Sequence, residues 1–496
     1  MKREILLGLI LTIGAYFTIA YDYTSPANLY WDENYHITSA QRYLNGVFFM
    51  EPHPPLGKLL IAAGEAIINA NPDDATFIDT EHAKSIPAGF SFAGYRLFPV
   101  ILSTLCVPLL FILVRKLTDA PLVAFIIGLG LALDNAFIVH VRGAMLEGVQ
   151  IFFILATLVA LAYCYRRERV WLPLKSYPYL AGASFGAAMA TKVTSLIVLP
   201  AILALLIFYY IQKRQIYSTA SLACKIISSF LVIYLSIWQV HNTLATQVNP
   251  KLPNNGYYQL SEASRGYINS GAGASAAAFF PLLEDNLRYL KHYYQGVPAL
   301  NLCKPGENGS TPLLWPLGAR AINYRWERRD GVTRYTYLVA NPAVWAMGLI
   351  GLVVAISIYT TVILGMTKID LECFILVGLG LGMWLGYMWV MVSAERVMYL
   401  YHYLVPLILS LIVLGITIPR IKAHKRFGSK LSEGVFFSVG VALLMIGFYI
   451  YAPFSYGFPL SDEQVKSRSW LKLWDIRCAS CDPVNKIARP IKGNAT

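Results

Sequence analysis

Eleven stretches of largely apolar residues recur along this chain, near 4–21, 97–117, 120–140, 143–164, 178–194, 195–212, 222–242, 342–366, 371–392, 397–418 and 433–453. A helix of about 20 apolar residues crosses the hydrocarbon core of a bilayer, and few other folds accommodate so many such stretches. Only 14% of the 496 residues are charged against 56% hydrophobic, too little charge to cover a soluble surface of this size. The expectation is an all-α polytopic membrane protein. Its first segment reads as an uncleaved span, because no small-residue cleavage site follows it.

Lys and Arg set the orientation. With the N-terminus cytoplasmic, the inner loops hold Arg115-Lys116, Arg166 to Arg169, Lys213-Arg214, Lys368 and the basic run at 419–426. The loop at 22–96 carries nine acids against four bases and falls outside. The loop at 243–341 is basic, but long loops translocate largely regardless of charge. One membrane domain is expected over 1–453, with outer loops at 22–96 and 243–341, a four-helix part at 342–453, and an extracytoplasmic tail at 454–496. The net charge of +13 sits mostly in short inner loops, which argues against a nucleic-acid partner. Of seven cysteines only Cys478 and Cys481 form a close pair, suited to a disulfide if the tail meets an oxidising compartment.

Ionisable residues gather at the outer ends of the spans. Asp32 and Glu33 suit a helix start, Asp as N-cap and Glu in the first turn. The stretch "NYHITSAQRYL" behind them then reads as an amphipathic helix in the membrane plane. A carboxylate fixed there also suits a general base. His53-Pro54-Pro55 favours extended backbone before a helix that carries Lys58 in its first turn. The turn at 134–153 places Asp134, His140, Arg142 and Glu147 among apolar residues, either as an Arg142–Glu147 pair or as cavity lining, and Arg96 opens the second span. Trp315, Arg320, Arg325, Arg328 and Arg329 lie in one aromatic and basic stretch. Such a cluster binds lipid headgroups or one lipid phosphate. Glu395, Arg396 and His402 precede or enter the tenth span among tyrosines. Asn308 and Asn494 match the N-glycosylation sequon.

In order, "WDENYH", "HPPLGKLL", "YRLFP", "VHVRGAMLEG", "STPLLWPLGAR", "NPAVW" and "YLYHYLVP" resemble protein O-mannosyltransferases, the GT39-like branch of the GT-C membrane glycosyltransferases. The resemblance runs from about residue 28 to 406 and implies a GT-C fold with about 11 transmembrane helices and two long extracytoplasmic loops. It places the family's catalytic Asp-Glu pair on Asp32 and Glu33. It assigns the donor phosphate to Arg96, Arg142, Lys58, Arg320 and Arg396, and the rest of the pocket to His53, Glu147, His402 and Trp315. The loop at 243–341 is too short for the β-trefoil insert of eukaryotic members, and Glu147 stands where Asp is expected. Both departures point to a prokaryotic-type enzyme of the cell membrane.

The implied reaction moves mannose from polyprenyl- or dolichyl-phosphate to Ser or Thr of a secreted or membrane protein, with inversion. No Rossmann-type glycine fingerprint is present, consistent with a lipid-linked donor. Asp32 would take the hydroxyl proton, and Glu33 would position Asp32 or the acceptor. No metal site is read from the residues, although two adjacent acids could hold Mg or Mn. The resemblance leaves room for a dimer. A lipid or glycan acceptor, as in aminoarabinose transferases, remains open. A transporter or flippase fits less well, since the charges gather at one face rather than at the midplane.

Overall fold

The computed structural model describes residues 2–79, 86–166, 175–252, 256–304, 307–329, 332–422 and 430–477. Cys478 and Cys481, Asn494 and the basic residues at 167–169 and 423–426 lie outside them. Helix α1 (Lys2–Ala15), extended by one wider turn at Tyr16–Ala20, opens the bundle. The loop after it holds α2 (Glu33–Leu44) and α3 (Leu56–Ile68). Then come α4 (Ala93–Thr118), α5 (Pro121–Ala132), α6 (Asn135–Val141), α7 (Glu147–Arg166), α8 (Tyr177–Met189), α9 (Leu199–Lys213) and α10 (Ile216–Leu244). The second long loop folds into α11 (Glu262–Asn269), α12 (Ala276–Gly296) and the antiparallel hairpin β1 (Ile322–Arg329) and β2 (Val332–Leu338). The chain re-enters the bundle with α13 (Pro342–Ile363), α14 (Leu371–Ser393), α15 (Leu404–Lys422) and α16 (Lys430–Tyr456). A short β3 (Pro459–Leu460) then pairs with β2, and α17 (Asp462–Arg468) follows.

Among the described residues nine helices are long and apolar enough to span, ten if the bent pair α5–α6 counts as one. The sequence suggests eleven, and the difference lies in two broken segments. The expected span 120–140 bends by 55° between α5 and α6. There the freed Leu133 carbonyl accepts from Asn341 Nδ2 at 2.8 Å, and Asp134 caps α6 through Phe137 N at 2.8 Å and takes Trp345 Nε1 at 2.9 Å. Irregular backbone at membrane depth persists only where such partners exist. The expected span 178–194 is the 13-residue α8, which stops at Ala190. Its last carbonyls take Leu56 N at 2.8 Å on Ala190, Thr191 Oγ1 at 2.9 Å on Ala187, and Ser195 Oγ at 2.9 Å together with Lys192 N at 3.0 Å on Ala188.

Helices α8 and α10 pack closely because small residues face the crossing. A methyl at Gly186 would sit 2.8 Å from the Phe230 carbonyl, so a side chain there would force the helices apart. The tail packs back on the second loop: Ala321 N donates to Trp474 O at 2.7 Å and Trp474 Nε1 to Leu317 O at 2.8 Å.

Helix α2 departs from the expected surface helix. Ten of its twelve residues are buried, enclosed by α3, α4 and the 142–146 turn. Its polar residues bond inward instead of facing water: Gln41 donates to Tyr95, Arg42 to the Ile78 carbonyl, and His36 Nδ1 contacts Ala144 O at 2.7 Å.

Candidate active site

Successive side chains on a helix point about 100° apart, so two adjacent acids at a helix start cannot face the same way. Glu33 turns inward. It is fully buried, accepting Arg96 Nε at 2.7 Å and Nη2 at 2.9 Å, Ala144 N at 2.8 Å and Tyr30 N at 3.2 Å. Asp32 turns outward. It stands at the N-cap position, but its carboxylate makes no cap hydrogen bond. Among the described residues it receives only a long bond from Tyr401 Oη, at 3.4 Å. The carboxyl is crowded by protein without being closed off. Burial pushes its pKa up to about 6, with Glu147 adding to the rise and Lys192, His140 and the Tyr401 bond opposing it.

Trp31, just before Asp32, has left-handed backbone (φ 54°) and stacks on Tyr324 at 5.1 Å. Its ring edge meets Tyr399 and Tyr401. From there an aromatic ladder runs His140–Tyr401–His402–Trp315, with neighbouring centroids 4.9, 4.3 and 6.1 Å apart. Trp315 is completely buried and fixed by Ser310 Oγ at 2.7 Å, and His402 by the Tyr399 carbonyl at 3.0 Å. Trp315 thus backs the ladder from inside the fold, and His402, half-buried, lies at its edge. Ser310 is itself buried, which leaves the Asn308 sequon's hydroxyl closed off in the fold.

Beside Asp32 lies a charge cluster. Glu147 accepts His140 Nε2 at 2.7 Å and pairs through its other oxygen with Lys192, while His140 Nδ1 meets Tyr324 Oη at 2.6 Å. Lys192 also lies 5.8 Å from the centre of the Tyr401 ring. On another side Arg396 covers Tyr294 at 5.2 Å, and Tyr294 Oη meets His53 Nδ1 at 3.0 Å. Arg396 Nε and Nη1 are buried and have no partner among the described residues. A desolvated guanidinium edge without an acceptor is costly until an anion arrives. Tyr293 and Tyr399 lie within electrostatic reach of both Asp32 and Arg396, so these two charges belong to one neighbourhood.

The structure corrects several expectations. Arg96 cannot serve a donor phosphate, because beyond Glu33 its Nη1 donates to Thr24 O at 3.0 Å and Pro26 O at 2.9 Å, and Nη2 to Asn28 O at 2.8 Å. Arg142 is likewise spent, on the carbonyls of Ile19, Tyr21 and Asp22 at 3.0, 2.8 and 2.6 Å, and it does not pair with Glu147. Lys58 is buried against Glu51 at 2.5 Å, and Glu51 in turn takes Tyr43 Oη at 2.9 Å. Arg320 donates to the Glu307 carbonyl at 2.9 Å and faces Asp475 at 3.7 Å, at the junction with the tail. Glu33 is closed off from any acceptor. Sequence reasoning does not reach Lys192, although it carries a signal: a lone lysine inside the short apolar stretch 178–194.

A divalent cation does not fit these residues. Both Glu33 oxygens are held by Arg96, both Glu147 oxygens by His140 and Lys192, and among the described residues no group of three His, Cys, Asp or Glu could hold a metal. Farther along the bundle, Leu117, Leu161, Phe208, Leu376, Met383 and Ile412 help line an apolar cavity of about 560 Å³. At ~1.5 Å rise per residue, its Leu158 wall lies about 16 Å along α7 from Glu147.

Two family models match the chain. One, described as dolichyl-phosphate-mannose-protein mannosyltransferase, covers residues 9–246, and the C-terminal four-span region of protein-O-mannosyltransferase covers 295–474. Dolichyl-phosphate-mannose–protein mannosyltransferase 1 of Candida albicans is 27% identical over 186 residues, 37% of this chain and 20% of that protein. Protein O-mannosyl-transferase 1 of Danio rerio is 29% identical over 153 residues, 31% of this chain and 21% of that one. The matched part thus spans about a fifth of these relatives' length. Among solved structures, the Saccharomyces cerevisiae Pmt1-Pmt2 complex bound to its sugar donor aligns with a TM-score of 0.77 at 16% identity, covering 96% of this chain and 93% of that one. The apo oligosaccharyltransferase of Archaeoglobus fulgidus gives 0.51 at 12% identity, covering 99% and 61%. The fold is that of GT-C membrane glycosyltransferases, and this integral, multi-pass chain belongs to the protein O-mannosyltransferase family.

Proposed function

We propose that this protein moves a mannosyl group from a polyprenyl- or dolichyl-phosphate carrier to Ser or Thr hydroxyls of proteins, at the extracytoplasmic face, with its N-terminus cytoplasmic. One observation carries the reading: Asp32, a carboxylate held by one long bond from Tyr401, lies near Lys192, and the Arg396 guanidinium in the same neighbourhood has buried N–H groups without an acceptor among the described residues. The names of the sequence relatives support the same donor and acceptor. The apolar cavity between spans suits an isoprenoid chain.

In the reaction Asp32 takes the proton from the acceptor hydroxyl as its oxygen attacks the sugar C1. The C1–O bond to phosphate breaks on the opposite side, inverting a β-phosphate to an α-glycoside. The carrier phosphate leaves with the bonding electrons, and its added negative charge falls to Arg396 and Lys192. Lys192 can turn to it from Glu147, which stays paired with His140.

Radiolabelled polyprenyl-phosphate-mannose and a Ser/Thr-rich peptide, offered to the purified protein, test the reading. Label on the peptide is expected. Label that reaches only a lipid or glycan would sink the protein acceptor.

Two further outcomes are expected in that assay. Arg396→Gln lowers kcat/KM for the donor by about 100-fold, as for loss of one transition-state charge contact. The same loss in Arg320→Gln but not Arg396→Gln would reverse the assignment. Burial favours the neutral form of Asp32, so its base form prevails only above the raised pKa of about 6. The rate therefore falls as pH drops through that value, and a rate that stays level across it would remove Asp32 from the base role.

A further inference from the structure

We infer that Gly57 is a positioning residue, whose missing side chain sets the separation between Glu147 and Lys192. Glycine is a poor helix former, yet it occupies the first turn of α3, where its backbone is helical and needs no positive φ. The reason is space. The first turn of α3 docks on the break after α8 through Leu56 N and the Ala190 carbonyl, 2.8 Å apart. A methyl at position 57 would lie 2.6 Å from Leu146 Cδ2 and 3.4 Å from Thr191 Cγ2. Carbon atoms pack best at about 3.5–4.0 Å, so the first contact is a clash, while the second already closes the space on the other side.

The two residues met are those just before the members of the ion pair: Leu146 precedes Glu147, and Thr191 precedes Lys192. Thr191 is tied to the Ala187 carbonyl at 2.9 Å, and the end of the Leu146 side chain, fully buried, can move only against close-packed neighbours. A side chain at 57 therefore wedges the start of α7 away from the α8 break, and Glu147 away from Lys192. The "HPPLGK" stretch thereby acquires a role its own lysine does not fill, because Lys58 is spent on Glu51.

The activity readout rests on the proposed mannosyl transfer; a second readout does not. Wild type, Gly57→Ala, Leu146→Ala and the double variant are compared for peptide mannosylation. They are also compared for reductive methylation of Lys192, read by peptide mass spectrometry. Gly57→Ala is expected to lower kcat at least 10-fold with acceptor KM unchanged, and to speed Lys192 methylation several-fold as the amine leaves Glu147. In the double variant the alanine methyl occupies the room Leu146 vacates, and both readouts return toward wild type. That rescue also keeps the test readable if Gly57→Ala alone does not fold. Wild-type kcat and methylation in Gly57→Ala would overturn the inference, as would a double variant no better than Gly57→Ala. A wild type that transfers no mannose, with methylation still following position 57, would sink the proposed function and leave this inference standing.

Discussion

Asp32→Asn is expected to leave a folded protein whose transfer to peptide is at least 100-fold slower. General-base catalysis contributes roughly 10²–10⁴-fold, and no other described carboxylate can take over. Glu33 next door is sealed in its arginine pair, and both Glu147 oxygens are engaged. Because Asp32 makes no cap bond and only one long contact, removing its charge should not disturb the helix start. Thermal unfolding in detergent should therefore match wild type while kcat collapses. A mutant that loses rate and stability together would return Asp32 to the role of a helix cap. Undiminished transfer by a folded mutant would place the base elsewhere.

The opposite pattern is expected at Arg96. Its guanidinium closes a buried, bidentate pair with Glu33 and holds three backbone carbonyls of the 24–28 segment. Arg96→Met leaves a buried carboxylate without its counter-ion, and breaking such a pair costs about 3–5 kcal/mol. Little folded protein should be recovered, and what is recovered should melt well below wild type. Glu33→Gln with Arg96→Met should be less damaging than Arg96→Met alone, because no charge is then stranded. If Arg96→Met instead folds normally and only raises KM for the donor, Arg96 binds the phosphate after all. The two predictions separate the neighbouring acids: loss of rate alone is expected at Asp32, loss of fold at the Glu33–Arg96 pair.

The sequence alone carried the membrane character, the two long loops and the family. These rest on span-length apolar runs and on motifs contiguous in the chain, which need no knowledge of packing. It also singled out three stretches that the fold brings together: the 32–33 pair, the 134–153 turn and the 393–406 entry meet through Asp32, Glu147, His140 and Tyr401. It could not apportion their cations. Arg96, Arg142, Lys58 and Arg320 look as available as Arg396, because a string of residues does not show which carbonyls or carboxylates each one meets. Packing decided that. The first three guanidinium or ammonium groups are buried among acceptors, Arg320 is drawn to the tail, and Arg396 is left with buried N–H groups unmet.

The partner of Lys192 and the role of Gly57 depended on tertiary structure. A lysine between two apolar stretches reads as a loop until α8 is seen to stop short and α3 is seen to dock on the break. What a residue type can do was written in the sequence. Whether it is free to do it depended on desolvation and on partners met in space, from Glu51 beside Lys58 to Tyr401 beside Asp32, and only the folded chain assembles those.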